Sequence, residues 1–345
     1  MIRLAPASAV VAALAALVLL AGCGEREDPE PGPRGAEQVD LVLDFFPNAD
    51  HAGIYAAIGT GAFEDADLDV RPQTPSDPAA PLRLLAAGKA DLAISYEPEV
   101  LLARDQGAKV VAIGAIVQKP LTSLISLGEK GVRDPARLDG KKVGTAGIPY
   151  QSAYLKAILA KAGVDPGRVE EVNVGFNLVP AMLSKRVDAT LGAFWNYEGV
   201  QLERSSRRPN VLRVEELGVP TYNELVVVAR EEDARNRGSL LRRFMLALGR
   251  GHEALREDPS AGVEPLLKAN RDLDRGLQEA SVKATLPVFF PEDEDRAFGW
   301  MDEREWAAYG KWMADSGLLK RREDPTKALT DEFVPGEGPQ AGEGP

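Results

Sequence analysis

Three short segments of the chain combine aromatic rings with carboxylate, amide and hydroxyl groups. They span residues 44–51, 95–97 and 194–198, and each directly follows an apolar run typical of a buried strand. Aromatic side chains stack on flat rings, while carboxylate and amide groups form hydrogen bonds with a ring's edge. Together the segments predict a pocket for a flat, nitrogen-rich ring.

The candidate ligand-binding residues come from these segments, together with Tyr55 and Tyr222. For several of them a structural role is the alternative: helix capping for His51, turn stabilisation for Asn48 and core packing for Trp195. The candidates are Asp44, Phe45, Phe46, Asn48, His51, Tyr55, Ser95, Tyr96, Glu97, Trp195, Asn196, Tyr197, Glu198 and Tyr222.

The sequence does not favour a metal site or a catalytic site. With two histidines and a single cysteine, a zinc cluster or CxxC redox site is not expected. The sequence also contains no G-x-S-x-G, H-E-x-x-H or P-loop pattern. We therefore predict a binding protein without catalytic residues, metal or cofactor.

The N-terminus has the features of an export signal. An apolar run of 12 residues, 9–20, is shorter than the roughly 20 residues that span a bilayer, so residues 1–22 are predicted to be a signal peptide. The following LAGC sequence resembles the lipobox of bacterial lipoproteins and ends at Cys23. Residues 23–38 are rich in Pro, Gly and charge, as in a tether. The predicted location is the extracytoplasmic face of a membrane, anchored through lipidated Cys23.

The charge of the chain argues against nucleic acid as a partner. It contains 41 basic and 53 acidic residues, giving a formal net charge of −12. A polyanion would be repelled by such a surface, and the sequence has no basic stripe with interleaved aromatic residues.

Short β-type runs alternate with helical patterns from residue 39 onward, which predicts an α/β protein with parallel sheets covered by helices. The runs fall into two groups, as expected for a chain of this length. The first predicted lobe comprises 39–119 and 219–330, and the second 120–218. Crossovers are expected near Lys119 and Val219, and residues 331–345 are predicted to be a disordered tail.

Several sequence blocks resemble the substrate-binding proteins of importers for thiamine-precursor pyrimidines, such as formylaminopyrimidine and hydroxymethylpyrimidine. The blocks are DFFPNADHAGIY from Asp44, AGKADLAISY from Ala87, DGKKVG from Asp139, WNYE from Trp195 and GVPTY from Gly218. The resemblance implies a type II periplasmic-binding fold, whose two lobes close on a small ligand. It also implies a monomer that works with the permease and ATPase subunits of an ABC transporter.

Other functions of the same superfamily remain as alternatives. These are binding of a riboflavin-like ring, an alkanesulfonate, taurine or nitrate, and ligand sensing. The three segments contain no arginine or lysine to hold an anion, which disfavours the oxyanions. A eukaryotic branch makes the pyrimidine with a bound cofactor, a sacrificial histidine and a cysteine-rich motif, and this sequence lacks that motif.

Overall fold

The computed structural model describes residues 35–129, 131–320 and 323–337. The predicted signal peptide, Cys23 and most of the predicted tether lie outside these ranges. Within them, no helix combines the length and apolar character needed to cross a membrane.

In the described part of the chain, ten strands form two sheets of five strands each. The strands are β1 Glu37–Val42, β2 Leu68–Gln73, β3 Leu92–Ser95, β4 Val110–Val117, β5 Thr122–Leu127, β6 Lys142–Thr145, β7 Glu170–Asn173, β8 Ala189–Phe194, β9 Pro209–Arg213 and β10 Leu225–Arg230. The strand order is β2-β1-β3-β10-β4 in the first sheet and β7-β6-β8-β5-β9 in the second. The two-lobed α/β fold predicted from the sequence is thereby confirmed.

Each sheet contains one reversed strand, so the sheets are mixed, and the predicted parallel arrangement does not extend to these two strands. β10 runs antiparallel to β3 and β4, and β5 runs antiparallel to β8 and β9. Both are the first strand after the chain has crossed from the other sheet, so each enters its sheet from the end opposite to that used by its neighbours.

Helices cover both sheets, as expected for strands such as β4 that are buried along their whole length. They are α1 Ala52–Gly59, α2 Pro81–Ala86, α3 Glu97–Asp105, α4 Pro149–Lys161, α5 Leu178–Leu183, α6 Val200–Arg204, α7 Glu231–Asn236, α8 Gly238–Glu257, α9 Ser260–Ala269, α10 Arg275–Phe289 and α11 Glu303–Asp315. α8 crosses α1 closely, because a Cβ on Gly251 would lie 2.4 Å from the carbonyl oxygen of Gly53.

Two predicted boundaries differ from the structure. β1 begins at Glu37, inside the predicted tether, and the Glu37 carboxylate forms ion pairs with Arg237 and Arg243. The predicted tail is ordered at its start, because Phe333 and Val334 are buried. In both places a few residues gain tertiary contacts that the local composition does not reveal. Residues 338–345 lie outside the described part of the chain.

A single buried carboxylate, Glu224, joins the two crossovers between the sheets. Its Oε2 accepts hydrogen bonds from the backbone N–H groups of Leu121 (2.7 Å) and Thr122 (2.9 Å) and from the Tyr222 hydroxyl (2.8 Å). Burial raises the pKa of Glu224 to about 7, although these hydrogen bonds act in the opposite direction. The carboxylate thus fixes the start of β5 against the segment that leads into β10.

Candidate ligand-binding site

A narrow cavity lies between the two lobes. Its walls follow the carboxyl ends of β1, β3, β6 and β8, where ligands of open α/β sheets bind. The lining residues are Asp44, Phe45, Asn48, Asp50 and Tyr96 from the first lobe and Ala146, Ile148, Gln151, Leu178, Gly192, Phe194, Tyr197 and Glu198 from the second.

Asp44 is held from two sides directly after β1. The Tyr96 hydroxyl donates to Oδ2 at 2.6 Å, and His51 Nε2 lies 2.8 Å from Oδ1. The backbone N–H of Asn48 donates to His51 Nδ1 at 3.2 Å, so the ring's proton must be on Nε2, from which it is donated to Asp44. His51 therefore positions Asp44 and does not line the cavity.

The side chain of Asn48 is engaged within its own turn. Its Oδ1 accepts from the Asp50 N–H at 2.8 Å, and its Nδ2 donates to the Phe46 carbonyl at 3.2 Å. Asn48 thus caps the 3₁₀ turn Ala49–His51. Although it borders the cavity, the structure favours the turn-stabilising alternative for this residue.

Glu198 lies in a π-helical turn, Trp195–Gly199, that directly follows β8. The backbone N–H of Phe194 donates to Glu198 Oε2 at 2.7 Å, which orients the carboxylate at the cavity wall. Burial raises the pKa of Glu198 to about 7, and the charge of nearby Asp50 acts in the same direction. Such a carboxylate favours a ligand group that donates hydrogen bonds.

Asp50 is a cavity residue that was not among the candidates. Its Oδ1 accepts from Asn196 Nδ2 at 2.5 Å, and Asn196 donates its other N–H to the Thr285 hydroxyl at 2.6 Å. Burial raises the pKa of Asp50 to about 6. The Asp50–Asn196 bond joins the first lobe to the second, so Asn196 acts as a link between lobes and does not line the cavity.

Aromatic rings from both lobes meet beside the cavity. The ring centroid of Phe45 lies 4.6 Å from that of Phe46 and 4.7 Å from that of Phe176, while Phe46 and Tyr197 are 6.2 Å apart. Phe45 and Tyr197 line the cavity, whereas Phe46 packs behind them. Phe176 was not a candidate; it contributes an aromatic contact across the cleft.

Trp195 does not line the cavity, contrary to the stacking role expected for it. Its indole Nε1–H donates to the Pro120 carbonyl at 3.1 Å, and the guanidinium of Arg213 covers its ring at 4.1 Å from the centroid. The aromatic rings that do line the cavity, and are available for stacking on a ligand, are those of Phe45 and Tyr197.

The remaining candidates are also buried away from the cavity. Glu97 accepts from the Asn223 N–H at 2.8 Å, and Tyr222 donates to Glu224, so both stabilise the crossovers. Ser95 is buried within β3, where it pairs with Val226 of β10. Tyr55 lies on α1 beside a separate surface groove.

Sequence reasoning missed most of the second lobe's contribution to the cavity. Gln151 Oε1 accepts from the Ala146 N–H at 2.8 Å, and a Cβ on Gly192, which has a φ of +108°, would lie 2.2 Å from Gln151 Nε2. Glycine is therefore required for this close approach. In the loop after β6, the lining residues Ala146 and Ile148 are neither aromatic nor charged. Only the rule that ligands bind at the carboxyl ends of strands could have predicted that this loop lines the cavity.

The described residues that line the cavity include no arginine or lysine that could hold an anion. The N-terminus of α4 is also occupied, because the Tyr150 N–H donates to the Glu99 carboxylate at 3.0 Å. Burial raises the pKa of Glu99 to about 7. Among the described residues, no group of three or more His, Cys, Asp or Glu side chains is arranged to hold a metal ion.

Comparison with known proteins relates the chain to both binding proteins and enzymes. The family described as NMT1/THI5 like matches residues 48–262. A formylaminopyrimidine-binding protein of Halalkalibacterium halodurans is 32% identical, covering 93% of this chain and 98% of that protein. A 4-amino-5-hydroxymethyl-2-methylpyrimidine phosphate synthase of Legionella pneumophila is 25% identical, covering 86% of this chain and 92% of that protein.

Two solved structures share the fold at low sequence identity. The alkanesulfonate-binding protein of Xanthomonas axonopodis pv. citri, bound to MOPS, has a TM-score of 0.67 and 18% identity, covering 88% of this chain and 99% of that chain. The periplasmic aliphatic sulphonate binding protein of Escherichia coli has a TM-score of 0.63 and 15% identity, covering 85% and 92%. These similarities confirm the predicted periplasmic-binding fold.

Proposed function

The chain belongs to the NMT1/THI5-like family, and we propose that it is the extracytoplasmic solute-binding component of an ABC importer for a thiamine-precursor pyrimidine or similar heteroaromatic ring. The observation that carries this proposal is the chemistry of the cavity. Its walls combine aromatic rings with the carboxylates of Glu198 and Asp50, and the described lining residues include no cation.

An aminopyrimidine matches these groups. Its ring would lie against Phe45 and Tyr197, since stacked or edge contacts between aromatic rings contribute about 0.5–1.5 kcal/mol beyond area burial. Its exocyclic amino group would donate to Glu198, whose orientation is fixed by the Phe194 N–H. The name of the Halalkalibacterium relative supports the same ligand class.

We propose binding without catalysis, although some relatives are named as pyrimidine synthases. Both ring nitrogens of His51 are engaged, Nδ1 by the Asn48 N–H and Nε2 by Asp44. This histidine is therefore placed to support Asp44. No lysine lies among the described cavity residues, so the site offers no amine for a Schiff base.

Ligand titration by calorimetry tests the proposed function. Formylaminopyrimidine or hydroxymethylpyrimidine is expected to bind the purified protein, and taurine and nitrate are expected not to bind. In a parallel thermal-shift experiment, a ligand at 100 times its Kd should stabilise the protein by about 2.7 kcal/mol. Tight binding of either anion, without binding of a pyrimidine, would contradict the proposal.

The proposed location depends on Cys23. Its replacement, Cys23→Ser, removes the thiol that would be lipidated, so the protein is expected to leave the membrane fraction or to remain uncleaved. Fractionation with immunoblotting measures this, and Glu25→Gln in the same segment is the matched control. Normal processing and full membrane retention of Cys23→Ser after a salt wash would show that the anchor lies elsewhere.

A further inference from the structure

An open groove lies apart from the ligand cavity, between α4 and the C-terminal end of α11. At the base of this α4–α11 groove, Ile158 and the crossover residues Leu217 and Val219 are buried. The ring of Trp312 also lines the groove and is partly exposed. The groove and the cavity have no lining residue in common, although Gln151 of α4 lines the cavity.

The charged side chains that line the groove are cationic. They are Lys156 and Lys161, and the described lining residues include no aspartate or glutamate. Both lysines are exposed and form no ion pair within the described part of the chain. Asp165, Glu216 and Asp315 adjoin lining residues in the sequence but do not line the groove. The groove therefore presents two free ammonium groups beside an apolar base.

This positive charge is part of a wider asymmetry of the molecule. Residues 120–218, which contribute the second sheet, contain 14 basic and 11 acidic residues, whereas the whole chain contains 41 and 53. The remainder of the molecule is therefore strongly acidic. A positive region on an acidic protein attracts an acidic partner and orients it toward that region. The charges thus favour an occupant that carries carboxylates.

The shape of the groove is fixed by contacts beneath it. The hydroxyls of Tyr154 in α4 and Tyr309 in α11 are hydrogen-bonded to each other. The Tyr154 ring also lies edge-on to Trp312, with 5.9 Å between the ring centroids. Lys161 lies against the crossover at Gly218, where a Cβ would have no room beside its Nζ. A groove formed in advance lowers the entropic cost of docking, and a held tryptophan is a typical anchor of protein interfaces.

We propose that the α4–α11 groove is a docking surface for an acidic segment of the importer's membrane-embedded subunits. Carboxylates of that segment face Lys156 and Lys161, and an apolar side chain packs against Trp312. A protruding protein segment matches a concave groove better than a flat lipid surface does. The inference rests on the proposed function and adds a partner surface to it. Because the groove and the cavity share no lining residue, docking and ligand binding can be measured separately.

The test uses the purified permease–ATPase complex in detergent, titrated with the binding protein loaded with formylaminopyrimidine. The readout is the concentration of binding protein that gives half-maximal stimulation of ATP hydrolysis. Lys156→Glu and Lys161→Glu are each expected to raise it about tenfold or more, because each places a carboxylate opposite the partner's carboxylates. Calorimetry should show wild-type ligand affinity in both variants.

Lys89→Glu is the matched control, since it reverses an exposed lysine outside the groove and changes the net charge equally. It should leave stimulation and ligand affinity unchanged. Wild-type stimulation by both groove variants would overturn the inference while the proposed function stands. An equal loss in Lys89→Glu would also overturn it, because net charge would then explain the effect. Absence of stimulation by the loaded wild-type protein would overturn the importer role and the inference together.

The wild-type protein provides a test that needs no groove variant. Docking should weaken as the salt concentration rises from about 50 to about 300 mM, because salt screens exposed charges. Insensitivity to salt would contradict the proposed ionic contacts.

Other occupants of the groove are distinguished in a Cys23→Ser background, which lacks the thiol that would be lipidated. Co-sedimentation with phosphatidylglycerol vesicles detects a lipid surface, and analytical ultracentrifugation detects a second copy of the chain. Neither association is expected. Either one, if abolished by Lys156→Glu, would assign the groove to that occupant and overturn the inference.

Discussion

Glu224→Ala is expected to lower the free energy of unfolding by about 4 kcal/mol or more. The substitution removes the acceptor for three buried donors at Oε2, the N–H groups of Leu121 and Thr122 and the Tyr222 hydroxyl, and for two further hydroxyls at Oε1. Each buried donor left unsatisfied costs about 1–3 kcal/mol. For a chain of this size the melting temperature should fall by about 6 °C or more, as measured by calorimetry or circular dichroism.

Glu224→Gln provides the matched control. Oε1 of Glu224 accepts from the Thr122 hydroxyl at 3.0 Å and from the Tyr150 hydroxyl at 3.5 Å, and each hydroxyl can rotate so that its oxygen accepts from an amide instead. The glutamine oxygen would keep the two backbone donors while its NH₂ group donates to these hydroxyls. We expect a change within about 1 kcal/mol. An alanine variant as stable as the glutamine variant would show that the crossovers do not depend on this acceptor.

Most of the fold could be predicted from local sequence patterns. The residue pattern predicts a helix over 97–106 and a strand over 189–193, and the structure has a helix at Glu97–Asp105 and a strand at Ala189–Phe194. Apolar runs identify strands because a buried strand must be apolar wherever it packs. The reversed strands could not be predicted, because the direction of β5 and β10 depends on the path of the chain between lobes.

The segments that form the candidate site could be predicted better than the individual side chains that line it. Residue type does not reveal whether a polar atom faces ligand or protein, and Asn48 and His51 are engaged by neighbouring backbone and carboxylate groups. Trp195 is engaged elsewhere, since its indole N–H donates to the Pro120 carbonyl and Arg213 covers its ring. Gly192 and Gln151 carry no compositional signal, and only their three-dimensional approach makes them part of the cavity.

Glu198→Gln is expected to weaken pyrimidine binding about 10- to 150-fold, the equivalent of losing a charge-assisted hydrogen bond of about 1.5–3 kcal/mol. The Phe194 N–H requires an acceptor at Oε2, so the glutamine oxygen must stay there. The NH₂ group then takes the place of Oε1 and opposes the amino group of the ligand. The substitution keeps the volume of the side chain, so calorimetry reports the change of hydrogen bonding.

The pH dependence of binding provides a second, independent measurement of the same contact. The pKa of Glu198 is about 7 because the group is buried, so its carboxyl is increasingly protonated as the pH falls below that value. A neutral amino donor needs the carboxylate form, and affinity should therefore fall as the pH is lowered from about 7.5 to about 5.5. Asp50, with a pKa of about 6, acts in the same direction and leaves a weaker pH dependence of binding in Glu198→Gln.

Glu203→Gln, on the exposed side of α6, is the control and should match the wild type in both affinity and pH dependence. Full affinity of Glu198→Gln with an unchanged pH profile would exclude Glu198 as the residue that accepts the amino group.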